Sequence, residues 1–348
     1  MSSFAAIQTA TSGLNTSDVA RALGIDRSAS PLVKVDRHQL NRMAQHLASR
    51  PDFMEFVPAA WDDPLLWNST YSVADRSQFF AIGNAINFRF WRIVDGRVTP
   101  ATGTIEGTSY RGAMYMWRSL RRSLDRADLP ILDPDFLARL ADDEFDAIFT
   151  DDNDLNPLAV ARQERIANLR DLGRRLTIDW DGSFYRLVEA SEGSLVEFAR
   201  LARSLRAFDD PLYKLTMVNA IMHSGSGVYA FDDEALPAID YHLLRHALRQ
   251  GVLQPHPRIA EKLVRSVMLD SHEAQELRRM ALSAFVELSE LTGIAGEVID
   301  NKYWLNRVNC TDHDPVCMNP MQAERCPFFS ACARATAFAL PLELTRYY

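Results

Sequence analysis

Apolar residues recur at helical spacing along most of the chain. Leu40, Met43 and Leu47 stand at i, i+3 and i+7 within His38–Ala48, which predicts an amphipathic helix. Ahead of it, Thr16-Ser17-Asp18 supplies an N-cap for a short helix that Gly24 ends. From Tyr110 to Asp128, Met114, Trp117, Leu120 and Leu124 share one face. Residues 133–160 are rich in Asp and Pro and read as short helices with loops. Helices then follow closely: Glu164–Leu176; the set Leu195, Phe198, Leu201, Leu205 and Phe208; Tyr241, Leu244 and Leu248, ending at Gly251. Ile259, Leu263 and Val267 mark the next, and Leu277, Ala281, Ala284, Phe285 and Leu288 the last, up to Gly293. One stretch departs from this period. SQFFAIGNAINFRFWRIVDGRVTP alternates aromatics ahead of Asp95-Gly96, which predicts a short β-hairpin. Residues 1–15 read as loose, and Pro51, Pro58 and Pro64 break an aromatic segment holding Phe53, Phe56, Trp61, Trp67 and Tyr71. The expected fold is mainly α with one small β element. It divides into an N-terminal helical segment (1–50), a helical body (51–305) and a C-terminal loop (306–348), without a flexible linker.

Composition narrows the class. With 47% hydrophobic and 24% charged residues, the 348-residue chain has the makeup of a globular protein with a sizeable core. No apolar run is long enough to span a membrane, and the start lacks a basic region followed by an apolar one. A reducing cytoplasm is the expected setting. The net charge of −8 and pI near 5.5 oppose general nucleic-acid binding, which depends on neutralising phosphates. Arg111, Arg118, Arg121, Arg122 and Arg126 read as a solvated helix face, with an anion-facing patch as the alternative.

The four cysteines change the picture. Cys310, Cys317, Cys326 and Cys332 lie within 23 positions, spaced C-x6-C-x8-C-x5-C. Four thiolates suit a soft metal centre. The long, unequal intervals without a C-x2-C knuckle favour a 4Fe–4S cluster over zinc, and Pro315, Pro320 and Pro327 stiffen the loop. The stretch resembles the cluster loop of endonuclease III-type DNA glycosylases in its first and last intervals; the central one is longer here.

No Walker loop, Rossmann glycine motif, H-E-x-x-H or G-x-S-x-G is present. Ser224-Gly225-Ser226-Gly227 reads as a turn between helices. Lys214 follows Asp209 and Asp210 among apolar residues, so it must snorkel, pair or meet an anion. Asp240 closes an apolar run, followed by Tyr241 and His242, and stands where a helix N-cap belongs.

Short blocks in order resemble the queuosine salvage protein family. They are Asn87-Phe88-Arg89-Phe90-Trp91, Ser109-Tyr110-Arg111-Gly112, Asp179–Ala190 with Gly182 and Phe184, and Phe208–Ile221 around Lys214. Ile239-Asp240-Tyr241, Glu276-Leu277-Arg278 and Ile299-Asp300-Asn301-Lys302-Tyr303-Trp304 complete the set. Where the family has D-Y-R, this chain has Asp240-Tyr241-His242. The resemblance implies a fold like that of helix-hairpin-helix DNA glycosylases and hydrolysis of the N-glycosidic bond of queuosine 5′-monophosphate, releasing queuine. It implies Asp240 as the catalytic carboxylate and Lys214 as a residue meeting the 5′-phosphate or a carboxylate. Asn87, Phe88, Trp91, Tyr241 and His242 would contact substrate. The partner expected is a small modified nucleoside or nucleotide. Two alternatives stand beside this reading: an iron–sulfur DNA glycosylase, with residues 111–126 as its basic face and Leu291–Gly296 as a hairpin turn, and a non-catalytic cluster-binding protein. A cavity holding Asp240 and Lys214 together favours the enzyme; an Asp240 that only caps its helix favours the binding protein.

Overall fold

The computed structural model describes residues 13–57, 70–95 and 97–347. Trp61, Trp67, Pro58, Pro64, Gly96 and residues 1–12 lie outside the described residues. The described chain is mainly α, with fourteen α-helices and three two-stranded antiparallel sheets. The helices are α1 (Thr16–Ala22), α2 (Arg37–Ala48), α3 (Val73–Ala85), α4 (Ala113–Ser123), α5 (Pro134–Ala138), α6 (Asp142–Phe149) and α7 (Arg162–Asp179). They continue with α8 (Phe184–Glu189), α9 (Leu195–Ala202), α10 (Lys214–Gly225), α11 (Tyr241–Arg249), α12 (Pro257–Val264), α13 (Ser271–Thr292) and α14 (Gly296–Leu305). One apolar core joins them, running from Val19 in α1 to Phe328 and Ala331 in the cysteine loop.

The predicted hairpin is present only in the second part of its stretch, as β2 (Trp91–Val94) against β3 (Arg97–Pro100) with Val94 opposite Arg97. Ser77–Ala85, read with it, belongs to helix α3, since those residues are buried nearly all round and carry no strand partner among the described residues. A second hairpin follows that the periodicity concealed: β4 (Thr102–Ile105) pairs with β5 (Thr108–Arg111). Its turn is Glu106-Gly107, both at positive φ, the geometry that matches strand twist in a two-residue loop. The helix expected from Tyr110 therefore starts only at Ala113, because Thr108–Arg111 is held as strand. The remaining sheet joins distant segments, β1 (Val33–Val35) with β6 (Leu253–Pro255). At α1 the cap is Asn15, whose side chain accepts from the Asp18 N–H. Thr16 sits inside the helix; its hydroxyl donates to Glu234 and accepts from the Gly296 N–H.

The five arginines between 111 and 126 form a solvated face only in part, since Arg111 and Arg126 are exposed and Arg118 is buried. Arg118 is buried and pairs with Glu106, Arg122 donates to the carbonyls of Ile148 and Thr150, and Arg121 and Arg126 pair with Asp125 and Asp128. Arg118 and Arg122 tie α4 to its surroundings, whereas Arg121 pairs locally along the same segment. α3 and α4 pack so closely that a Cβ on Gly83 would stand 2.0 Å from the Trp117 ring. Gly293 caps α13 in the left-handed conformation at φ 70°, as its position predicted.

α10 starts in an unusual way. Its N-cap, Tyr213, is left-handed at φ 58° and has no capping side chain of its own. Asp210 takes over: its carboxylate accepts the N–H groups of Leu212 (3.1 Å) and Lys214 (2.9 Å). The same carboxylate binds Arg278 of α13 in a bidentate pair at 3.0 and 2.6 Å, both side chains being buried. Removing one partner of such a pair strands a buried charge. Arg278→Met is expected to lower the unfolding free energy by about 3–5 kcal/mol, read by urea denaturation.

Candidate active site

The hairpin β2–β3, the start of α10, the N-terminus of α11 and the end of α14 surround a cavity of about 1650 Å³. Asn87, Phe88, Trp91, Lys214, Asp240, Tyr241 and His242 all line it. The seven residues singled out from the sequence thus meet in one place.

The wall carrying Asn87 and Phe88 is shaped by a single arginine. Arg165 of α7 is fully buried, and its guanidinium lies 4.8 Å from the Phe88 ring centre and 5.4 Å from that of Phe90. It donates to the carbonyls of Ile86, Phe88, Arg89 and Val160. The left-handed turn at Arg89 lets Phe88 and Phe90 both flank the cation. Arg89 between them is left-handed at φ 46°, a strained conformation that those carbonyl contacts hold. The turn presents the Asn87 carbonyl to Lys214, whose Nζ donates to it at 3.0 Å.

Lys214 does not pair with Asp210, which Arg278 occupies. Burial brings its ammonium down to about 8, with Asp240 opposing that shift. Asp240 caps α11: its Oδ1 accepts the N–H groups of His242 (2.8 Å) and Leu243 (2.9 Å). Asp240 thus does not only cap its helix, since the capping carboxylate also lines the cavity with Lys214. Burial raises its affinity for a proton, while Lys214, the two N–H donors and Arg307 hold it down.

Other lining residues received no role from the sequence. Asp300 of α14 accepts from the Ala238 N–H at 2.9 Å, and burial, reinforced by the nearby Asp240 charge, pushes its carboxyl up to about 8. Arg307 stacks on Trp304, with its guanidinium 3.4 Å from the ring centre, and Asp240 and Tyr241 act on its charge. Asp300 and Trp304 belong to a block that resembles the salvage family, and that block was the available signal. Arg307 lies just past α14, where no pattern marks it. Burial thus raises both carboxyls, with more groups opposing the shift at Asp240 than at Asp300, which reaches about 8.

The four cysteines line a separate, smaller cavity with His246, Arg249 and Asn306. Several donors address the sulfurs: Arg249 Nη1 lies 3.5 Å from Cys310 Sγ, Asn306 Nδ2 3.7 Å from Cys326 Sγ, and the Arg334 N–H 3.3 Å from Cys332 Sγ. Phe328 in this loop is buried and stacks on Tyr303 of α14, with ring centres 4.5 Å apart. Among the described residues, no three His, Cys, Asp or Glu stand in the arrangement of a single-ion site.

A helical body with an acid–lysine cavity beside a four-thiol pocket defines the class. Residues 69–219 match the family model described as queuosine salvage protein. That segment, under half of the chain, carries Asn87, Phe88, Trp91 and Lys214 and ends before Asp240. No curated protein matches the chain. Among the described residues no helix is long and apolar enough to cross a membrane.

Asp300 has a measurable signature. Its folded-state pKa is raised to about 8, so the stability it contributes is full below about pH 4 and is lost as pH rises toward 8. Asp300→Asn removes that loss. At pH 8 the variant is expected to be more stable than the parent by about 1–3 kcal/mol in chemical denaturation, with the difference shrinking at pH 4.

Proposed function

We propose that this protein hydrolyses the N-glycosidic bond of a modified nucleoside or nucleoside 5′-monophosphate, releasing a (deaza)purine base such as queuine. The observation that carries this reading is the joint placement of Asp240 and Lys214 on one cavity, with Asp240 tied through a single oxygen. The family match over residues 69–219 supports a role in queuine salvage.

In this mechanism the bond from the sugar C1′ to the base nitrogen breaks, and its electron pair leaves with the base. Positive charge grows on the sugar ring, and the Asp240 carboxylate stabilises it. Asp240 also accepts a proton as water adds its oxygen to C1′. The two N–H bonds to Oδ1 orient the group and leave Oδ2 for that work. Asp300, protonated near neutral pH, supplies the proton that the departing base takes up. Lys214, anchored on the Asn87 carbonyl, holds Asp240 ionised in a buried setting or meets the substrate phosphate. Phe88 and Trp91 offer ring faces and edges to the base.

Cys310, Cys317, Cys326 and Cys332 would hold a 4Fe–4S cluster, with zinc as the alternative. The donor types suit the cluster, since four thiols line one pocket and N–H groups address three of them, whereas among the described residues the ligands do not stand close enough for a single zinc ion. Such a group contributes fixation of the loop, in which many residues lie outside regular structure.

Incubation with queuosine 5′-monophosphate should release free queuine detectable by mass spectrometry, and Asp240→Asn should slow release by about 10³-fold or more. Intact protein with its full metal complement that releases no base would remove this reading. Cys326→Ser, partly buried in the pocket, is expected to abolish bound iron and acid-labile sulfide and to reduce stability; stoichiometric zinc in the parent would select the alternative metal.

A further inference from the structure

α11 carries His242 on the cavity and Arg245 one turn further along, and the segment after Cys310 crosses that turn. Arg245 is 3% exposed. Its Nη1 lies 3.0 Å from Asp312 Oδ1, and its Nη2 lies 3.2 Å from His242 Nδ1. Arg249, on the next turn, fixes the same segment by donating to the carbonyls of Thr311 (2.6 Å) and Asp312 (3.2 Å).

A guanidinium has donors and no acceptor. His242 Nδ1 must therefore accept, and a neutral ring then carries its proton on Nε2. Burial and the surrounding cations, Arg245 and Arg307 foremost, keep the ring neutral by holding its pKa well below the ordinary histidine value. The opposite tautomer would set a ring N–H against an arginine N–H. With Nδ1 engaged, Nε2–H is the polar group that His242 has left to offer the cavity it lines.

We propose that Asp312, Arg245 and His242 form a relay through which the cysteine loop fixes the His242 tautomer, so that Nε2–H donates to a carbonyl or hydroxyl oxygen of the substrate. His242 touches the ligand; Arg245 and Asp312 are positioning residues. Asp312 forms an ion pair with one terminal nitrogen of the guanidinium while the other faces His242. Without that anchor, Arg245 keeps no charged partner to hold it against the ring. Only the identity of the substrate oxygen rests on the function proposed above.

The test is nitrogen-15 NMR of histidine-labelled, ligand-free full-length protein purified anaerobically, with the His242 signal assigned by its loss in His242→Gln. The parent protein should show the ring protonated on Nε2. Asp312→Asn, a change at a partly exposed position, and Arg245→Gln should each produce a mixture of tautomers. In kinetics, Asp312→Asn should raise KM about tenfold, the scale of one lost hydrogen bond, with kcat nearly unchanged, and Asp312→Glu should restore most of the loss. A parent ring protonated on Nδ1, or an unmoved tautomer in both variants, overturns the relay. The tautomer is read without turnover, so the two readings fail separately. An Nε2–H ring that responds to both variants in a protein releasing no base keeps the relay and removes the hydrolase reading. Base release with an unresponsive ring does the reverse.

Discussion

The buried pair between Asp210 and Arg278 is the constraint from which the site follows. A carboxylate withdrawn from water needs its lone pairs filled, and here two N–H groups and a bidentate guanidinium fill them. Those two N–H groups belong to the residues that open α10, so one carboxylate both starts that helix and bolts it to α13. The helix then begins at Lys214, and the lysine side chain emerges at the cavity. Asp210 is already committed, which is why the ammonium turns to the Asn87 carbonyl and feels Asp240.

Charge in the cavity is arranged by degrees of satisfaction. Asp240 has two backbone donors and two nearby cations; Asp300 has one backbone donor and a carboxylate neighbour. Both carboxyls are raised by burial, and Asp240 has the larger set of groups opposing that shift. Arg307 and Lys214 lose solvation as well, so neither is a surface cation that salt would screen away. Of the arginines between 111 and 126, four are engaged with Glu106, Asp125, Asp128 and two carbonyls, which reduces the free positive charge that a DNA-binding reading requires.

Much of this was legible in the sequence. Helical periodicity located α2, α7, α11 and α13 within a few residues, and Gly293 marked an end that the backbone confirms. The cysteine spacing anticipated the convergence of four thiols on one pocket. Asp240 and Lys214 were visible as polar residues set in apolar surroundings. The misses share a cause: their meaning lies in long-range placement. Thr108–Arg111 looks helical by period, yet a two-residue turn at Glu106-Gly107 pairs it as strand. Arg165 reads as one more helix arginine until Phe88 and Phe90, more than seventy positions away, close over it. Asp312 sits between two cysteines and draws no notice there, although its partner is a buried arginine on the helix that Asp240 caps.

α11 joins the two halves of the molecule end to end. Asp240 stands at its start, and Arg249 at its close holds the carbonyls of Thr311, Asp312 and Phe338. Residues 311–314, Ala337, Ala339 and Leu340 contribute to the same cavity as Asp240. During synthesis the ribosome delivers the acid and the lysine well before the segment that walls them in. A nascent chain can fold its helical body while the pocket still stands open on one side. Enclosure of the pocket is thus coupled to completion of the cysteine loop, and a copy that fails to assemble that loop is left with its charged groups facing bulk water.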